Sequence, residues 1–144
     1  MSRITFLKQW KHKGVNCAIA RSPFGSVNGY VQDSRFGTAD YDDIELDVHG
    51  GLTFGPDEDG WIGFDTMHCG DVWPLEYLEE HYPYTAGRKV FSDMCSVERK
   101  FPSKHQTHWT EEKVIEEVNR VAEQMRGLSP VVTGKVIWRQ RKDV

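Results

Sequence analysis

The sequence predicts an α+β fold: an antiparallel or mixed sheet of about five or six strands with one long amphipathic C-terminal helix packed on a face. Three observations predict it. Short apolar runs of period two recur between turn-forming Gly, Pro, Ser and Asp residues, as in Val15, Cys17 and Ile19. A single stretch, from Thr110 to Gly127, carries apolar residues at helical spacing over several turns. The length of 144 residues is one domain's worth, enough to bury a core without metals or disulfides as staples.

In chain order, Ile4 to Leu7 is expected to open the sheet, followed by a basic turn through Lys8, Lys11, His12 and Lys13 to Gly14. Val15 to Arg21 alternates cleanly, and Ser22-Pro23-Phe24-Gly25-Ser26 has turn chemistry, so Val27 to Gln32 is its antiparallel hairpin partner. Asp33 to Asp43 is loop. Ile44, Leu46 and Val48 then alternate with Glu45, Asp47 and His49, predicting a strand with the acids and His49 on its polar face. Pro56-Asp57-Glu58-Asp59-Gly60 is a hairpin connection, and Trp61, Ile62 and Phe64 form the returning arm.

A short helix is expected around Leu75 to His81, with Leu75, Leu78 and Tyr82 on one face. The chain reads as a single domain, 1–144, with a poorly patterned excursion at 72–109 that holds at most one further helical turn, near Phe91 to Glu98. Thr110 is a suitable N-cap, Glu111 and Glu112 suit the first turn of a helix dipole, and Trp109 can staple onto Val114. Val114, Ile115, Val118, Val121, Ala122 and Met125 make one apolar stripe, with Glu116, Glu117, Arg120 and Glu123 opposite. Gly127 and Pro130 end the helix, and Val131 to Arg139 is the last strand.

Composition narrows the function classes. No apolar run approaches the roughly 18 to 20 residues that span a bilayer, and the start MSRITFLKQWKHKG lacks the apolar region of a secretion signal, so a cytoplasmic protein without membrane contact is expected. Cys17, Cys69 and Cys95 are an odd set without a C-x-x-C pair, which suggests neither disulfides nor a zinc knuckle. Cys17 reads as a buried small hydrophobe, while Cys69 lies inside a polar cluster where a nucleophilic role would need a nearby base. Of the 22 acids, 13 fall between Phe36 and Gly87, where there is no lysine or arginine; the 18 basic residues split into six before that block and 12 after it. Nucleic acid would be met by clustered Lys and Arg, so direct binding by the central segment is not expected. A cation, a basic protein partner, or a ligand whose phosphates are met by flanking bases such as Arg88 and Lys89 suits that charge pattern.

The densest chemistry lies in the segment VHGGLTFGPDEDGWIGFDTMHCGD, Val48 to Asp71. A hairpin there brings His49 and Thr53 towards Asp65 and His68. The Gly50-Gly51 pair permits a bulge or a close backbone approach by a ligand. Imidazoles and carboxylates can hold a metal, exchange protons or hydrogen-bond a polar ligand. As a binding pocket the set is His49, Gly50, Gly51, Thr53, Asp65, His68 and Asp71, with Trp61, Phe64 and Trp73 as walls. As a metal centre it is His49, Asp65, His68 and Asp71, spaced D-x-x-H-x-x-D from Asp65 and with no H-E-x-x-H anywhere in the chain. The blander alternatives are ordinary: a strand-end histidine is often just a satisfied hydrogen-bond partner, Asp71 is placed to cap a helix, and the glycines suit turns.

The blocks DVHGGLTF and WIGFDTMHCGD, with NGYV upstream and VIEEVNRVAEQM downstream, resemble a family of small uncharacterised proteins encoded by bacteriophages and prophages. The resemblance spans most of the chain in the same order and carries over to His49, Gly50, Gly51, Thr53, Asp65, His68, Gly70 and Asp71. It implies a setting, an accessory protein in the infected bacterial cytoplasm, and no particular reaction. The resulting expectation is a phage or prophage protein that binds a small polar, nucleotide-like ligand in a His/Asp/aromatic pocket to manipulate host metabolism or defence signalling. Two rivals stand beside it: a hydrolase dependent on a divalent metal, and an inhibitor presenting the acidic stretch Asp40 to Asp59 to a basic host protein.

Overall fold

The computed structural model describes residues 4–68, 70–81 and 106–141. Its centre is a four-stranded antiparallel sheet in the order β1-β2-β3-β4, made of β1 (Phe6–His12), β2 (Val15–Arg21), β3 (Val27–Gln32) and β4 (Trp61–Phe64). β1 runs further than expected. The chain reverses between β1 and β2 at Lys13 and Gly14, both at positive φ, so the lysines before them belong to a strand and not to a turn.

Alternation along β2 sends side chains to two different cores. Cys17 and Ile19 join the main core with Val31, Ile62 and Phe64, while Ala18 and Ala20 face a smaller cluster with Tyr30 and Trp61, covered by Ile4, Phe6 and Phe54. The main-core face is covered by helix α2 (Glu111–Met125), which buries Val114, Val118, Val121, Ala122 and Met125. Its start is as expected: the Thr110 hydroxyl oxygen accepts from Lys113 N at 3.1 Å. The close fit of helix on sheet depends on Gly29 in β3, where a Cβ would lie 2.5 Å from Val118 Cγ2 and from the Phe64 ring.

Two expectations about the fold are corrected. Helix α2 is not the C-terminal element, because the segment after it is a hairpin, β7 (Leu128–Val132) and β8 (Val136–Gln140), not a single strand. Gly134, at φ 85, supplies the turn. Instead of one sheet of five or six strands, the described residues form the four-stranded sheet, this ribbon, and a two-residue parallel pair, β5 (Asp71–Val72) with β6 (Thr107–His108). Helix α1 (Leu75–His81) lies where its apolar spacing placed it, with Leu78 buried. No helix among the described residues is long and apolar enough to cross a membrane. Cys69, Cys95, Tyr82, Arg88, Lys89 and the suggested turn near Phe91 to Glu98 lie outside the described residues.

The expected strand at Ile44 to Val48 does not form. Ile44 and Val48 are buried as its alternation requires, but the backbone is held by other means. Glu45 N donates to Trp138 O at 2.8 Å, beside a lone parallel bridge between Ile44 and Trp138. Further on, the side chains of α2 stand where a neighbouring strand would be. The Gln124 amide accepts from Asp47 N at 2.7 Å and donates to Asp47 O at 2.8 Å, Arg120 Nη2 donates to the same oxygen at 2.9 Å, and His49 N donates to Glu117 Oε2 at 2.8 Å. These bonds satisfy the backbone of the segment without a ladder, which is why period-two burial misleads here.

Candidate metal centre

His49 is set by the side-chain ladder of α2, and His68 by the turn between β4 and β5. The expected hairpin contributes little: Phe54 pairs with Gly63 in a single antiparallel bridge, and the main partner of β4 is β3. His49 and His68 still converge, because each bonds the carboxylate of Asp71. Their rings lie 6.0 Å apart, with Asp71 between them.

Asp71 is the hub. Its side chain is 1 % exposed. Oδ1 lies 2.6 Å from His49 Nε2 and accepts from the Trp109 indole N–H at 2.9 Å. Oδ2 accepts from the His68 backbone N–H at 2.8 Å and lies 3.1 Å from His68 Nδ1. The other nitrogen of the same ring, Nε2, lies 3.2 Å from Asp65 Oδ1. A ligand atom from each of His49, His68 and Asp71 fits within 4.8 Å of the other two, and Asp65 lies outside that inner set. Of the four residues expected at a metal, three therefore meet, and the fourth stands behind His68.

The parallel pair of β5 with β6 supplies the indole. It brings Trp109 N to Val72 O at 2.8 Å, which sets the Trp109 side chain beside Asp71 and, edge-on at 4.8 Å, against the His49 ring. Trp109 is buried in the main core as its staple role required, and its N–H is spent on the carboxylate. Sequence reasoning missed this use of Trp109 and the grip of Glu117, Arg120 and Gln124 on the His49 segment. Their spacing along one side of α2, next to the apolar stripe, is the only signal of it.

Gly50 makes room for the cluster. It sits at φ 68, and a Cβ there would lie 2.3 Å from His68 Cε1 and 2.6 Å from Nδ1. The glycine pair was expected to admit a ligand; at Gly50 what approaches is the His68 ring, and a Cβ at Gly51 would meet nothing within 4 Å.

The other expected pocket residues lie elsewhere. Thr53 is exposed, and its backbone N–H bonds Gly63 O at 2.9 Å. Trp61 is buried in the smaller cluster, its ring 4.7 Å from that of Phe6. Phe64 is core. Trp73 is buried too, stacked on Tyr77 at 5.2 Å with its N–H 3.1 Å from Thr66 Oγ1. None of these aromatics forms a wall beside the histidines.

The hollow next to the cluster is instead a groove of about 470 Å³ between the 47–49 segment and α2, lined by His49, Trp109, Lys113, Glu117 and Arg120 among others. Its cations are already engaged. Lys113 Nζ donates to His108 O at 2.8 Å, and Arg120 is held by both oxygens of Glu117 and by Asp47. Comparison with protein-family models, with curated proteins and with solved structures finds no match for this chain, so the chemistry of the site rests on these distances.

Proposed function

We propose that the chain is a divalent-cation-dependent hydrolase of small polar substrates, with the cation held by His49 Nε2, His68 Nδ1 and Asp71. The observation that carries this reading is the convergence of two imidazole nitrogens and one buried carboxylate, drawn from two separate segments, within 4.8 Å. Two nitrogens and an oxygen suit Zn²⁺, with Mn²⁺ or Ni²⁺ as alternatives. Three protein ligands leave coordination positions open, and a cation so held lowers the pKa of a bound water and polarises a substrate oxygen. The adjoining groove supplies the space for the substrate.

Elemental analysis of the purified protein and melting curves with Zn²⁺, Mn²⁺ and Mg²⁺ test the centre. A retained metal and a melting temperature that rises with one of these ions, lost in His49→Ala and His68→Ala, are expected. No bound metal and no ion-dependent shift overturns it. Hydrolysis of a phosphate-ester, carboxylate-ester and nucleotide panel, with and without chelator, then tests turnover.

A second reading keeps the groove and drops the turnover: a protein that binds a small polar, nucleotide-like ligand. The groove volume favours it, and Trp109 in place of Trp61 and Trp73 is its aromatic element. In either case the motif resemblance suggests the setting, an accessory protein of a phage or prophage acting in the bacterial cytoplasm. An inhibitor presenting the Asp40 to Asp59 stretch is less favoured, because Asp43 pairs with Lys135 at 3.0 Å, Asp47 with Arg120 at 3.1 Å, and Asp57 accepts the backbone N–H groups of Asp59 and Trp61.

A further inference from the structure

The reading of a cation centre leaves one carboxylate unexplained, and this inference rests on that reading. The two nitrogens of the His68 ring lie beside different acids: Nδ1 is hydrogen-bonded with Asp71 Oδ2 at 3.1 Å, and Nε2 makes an ion-pair contact with Asp65 Oδ1 at 3.2 Å. A neutral imidazole carries one proton shared between two positions, so an acceptor that takes the N–H at one nitrogen leaves a lone pair on the other. In this structure Asp71 Oδ2 is the hydrogen-bond partner of Nδ1, and a cation bound by both groups would take the place of the proton between them, leaving the proton of the neutral ring on Nε2, 3.2 Å from Asp65 Oδ1. Asp65 has no place among the converging ligand atoms, yet it is oriented: its Oδ1 also accepts from Met67 N at 3.2 Å.

We propose that Asp65 is a positioning residue: it accepts the Nε2–H of His68, holds that tautomer, and so turns the Nδ1 lone pair towards the cation shared with His49 and Asp71. Carboxylates placed behind metal-bound histidines act in this way, fixing the ring and raising its basicity.

The test is a Co²⁺ titration of the full chain followed by visible absorption, on the wild type, Asp65→Ala, Asp65→Asn, His49→Ala and His68→Ala. Asp65→Ala should weaken Co²⁺ binding by roughly 10- to 100-fold, the usual loss for an outer-shell partner. Asp65→Asn, whose amide oxygen still accepts the N–H, should recover most of it. Wild-type affinity in Asp65→Ala, with both histidine variants defective, overturns the role of Asp65 and leaves the centre standing. Equally weak binding in Asp65→Ala and Asp65→Asn also overturns it, since charge and not the accepted hydrogen bond would then matter. Wild-type binding in both histidine variants overturns the centre beneath it. Should Asp65→Ala fail to fold, long-range ¹H–¹⁵N correlations on the Zn²⁺-loaded wild type decide the matter: a proton on His68 Nε2 is expected, and a proton on Nδ1 overturns the proposal.

Discussion

Gly50 and His68 occupy what would otherwise be the same space, since a Cβ at position 50 would fall 2.3 Å from the imidazole Cε1. The ring can stand beside His49 only because residue 50 has no side chain. Gly50→Ala should therefore damage the site in two ways. It pushes His68 off its line to Asp71, and it forces a φ of 68° on an L residue, a strain of roughly 1 to 2 kcal/mol. A lower melting temperature together with weaker Zn²⁺ or Co²⁺ binding is expected. Gly51→Ala meets nothing within 4 Å, so it should carry the backbone strain without the loss of metal.

Asp71 links the centre to the fold. Asp71→Asn keeps its shape but turns an N–H₂ towards one of the donors now facing the two carboxylate oxygens, the Trp109 indole or the His68 main chain. An unmatched buried donor costs about 1 to 3 kcal/mol. Chemical denaturation should show a destabilisation of that order together with lost metal binding. Trp109→Phe keeps most of the apolar packing and removes one hydrogen bond, so it should cost stability while retaining a measurable part of the cation affinity.

The segment before His49 is held by side chains where a strand was expected, and that makes Gln124 an unusually important surface residue. Its amide makes two hydrogen bonds with the backbone of Asp47, at 2.7 and 2.8 Å, as a peptide group in a ladder would. Gln124→Ala should free residues 45–49, seen as faster amide exchange at Asp47 and a loss of about 1 to 2 kcal/mol for two exposed hydrogen bonds. Gln124→Glu still accepts from Asp47 N but cannot donate to Asp47 O, and should fall between the two.

How much of this was legible depended on where each element finds its hydrogen-bond partners. β2, β3, α1 and α2 carry their evidence locally, in alternation, in the Thr110 cap and in the apolar stripe, and they lie where that evidence placed them. Ile44 to Val48 alternates just as well and is not a strand, because its backbone partners belong to Glu117, Arg120 and Gln124, far along the chain. The same distinction runs through the site. His49, His68 and Asp71 stood out as a dense polar block. Trp109, which bonds Asp71 across 38 positions of sequence, looked like any core tryptophan, and Trp61 and Trp73 looked like pocket walls because proximity in sequence says nothing about which face of a sheet a ring takes.

The junction of helix and sheet gives a test of the fold that leaves the site untouched. Gly29→Ala would place a methyl group 2.5 Å from Val118 Cγ2 and from the Phe64 ring. Overpacking of this kind costs about 1 to 3 kcal/mol. Val118→Ala removes one of the two obstacles, so the double variant should be less destabilised than the sum of the singles, with Phe64 keeping the relief partial. Val118→Asp should unfold the chain outright, because the residue is fully buried within the apolar main core.

Cys17 offers a test by chemistry. It is fully buried on β2, and burial pushes its thiol from the ordinary 9.0 to about 11, against a smaller opposing pull from the His12 backbone. The thiolate is the reactive form, so the native protein at pH 8 should leave Cys17 unmodified by iodoacetamide while the denatured chain is labelled, as peptide mass mapping would show. The sign for stability follows. The folded thiol stays protonated where the unfolded one ionises, so its contribution to stability is complete below pH 9.0 and is lost as the pH rises towards about 11. Denaturation midpoints of the wild type and Cys17→Ala should therefore draw closer together across that interval, and rapid native labelling of Cys17 at pH 8 would show that this face of β2 opens far more readily than its packing implies.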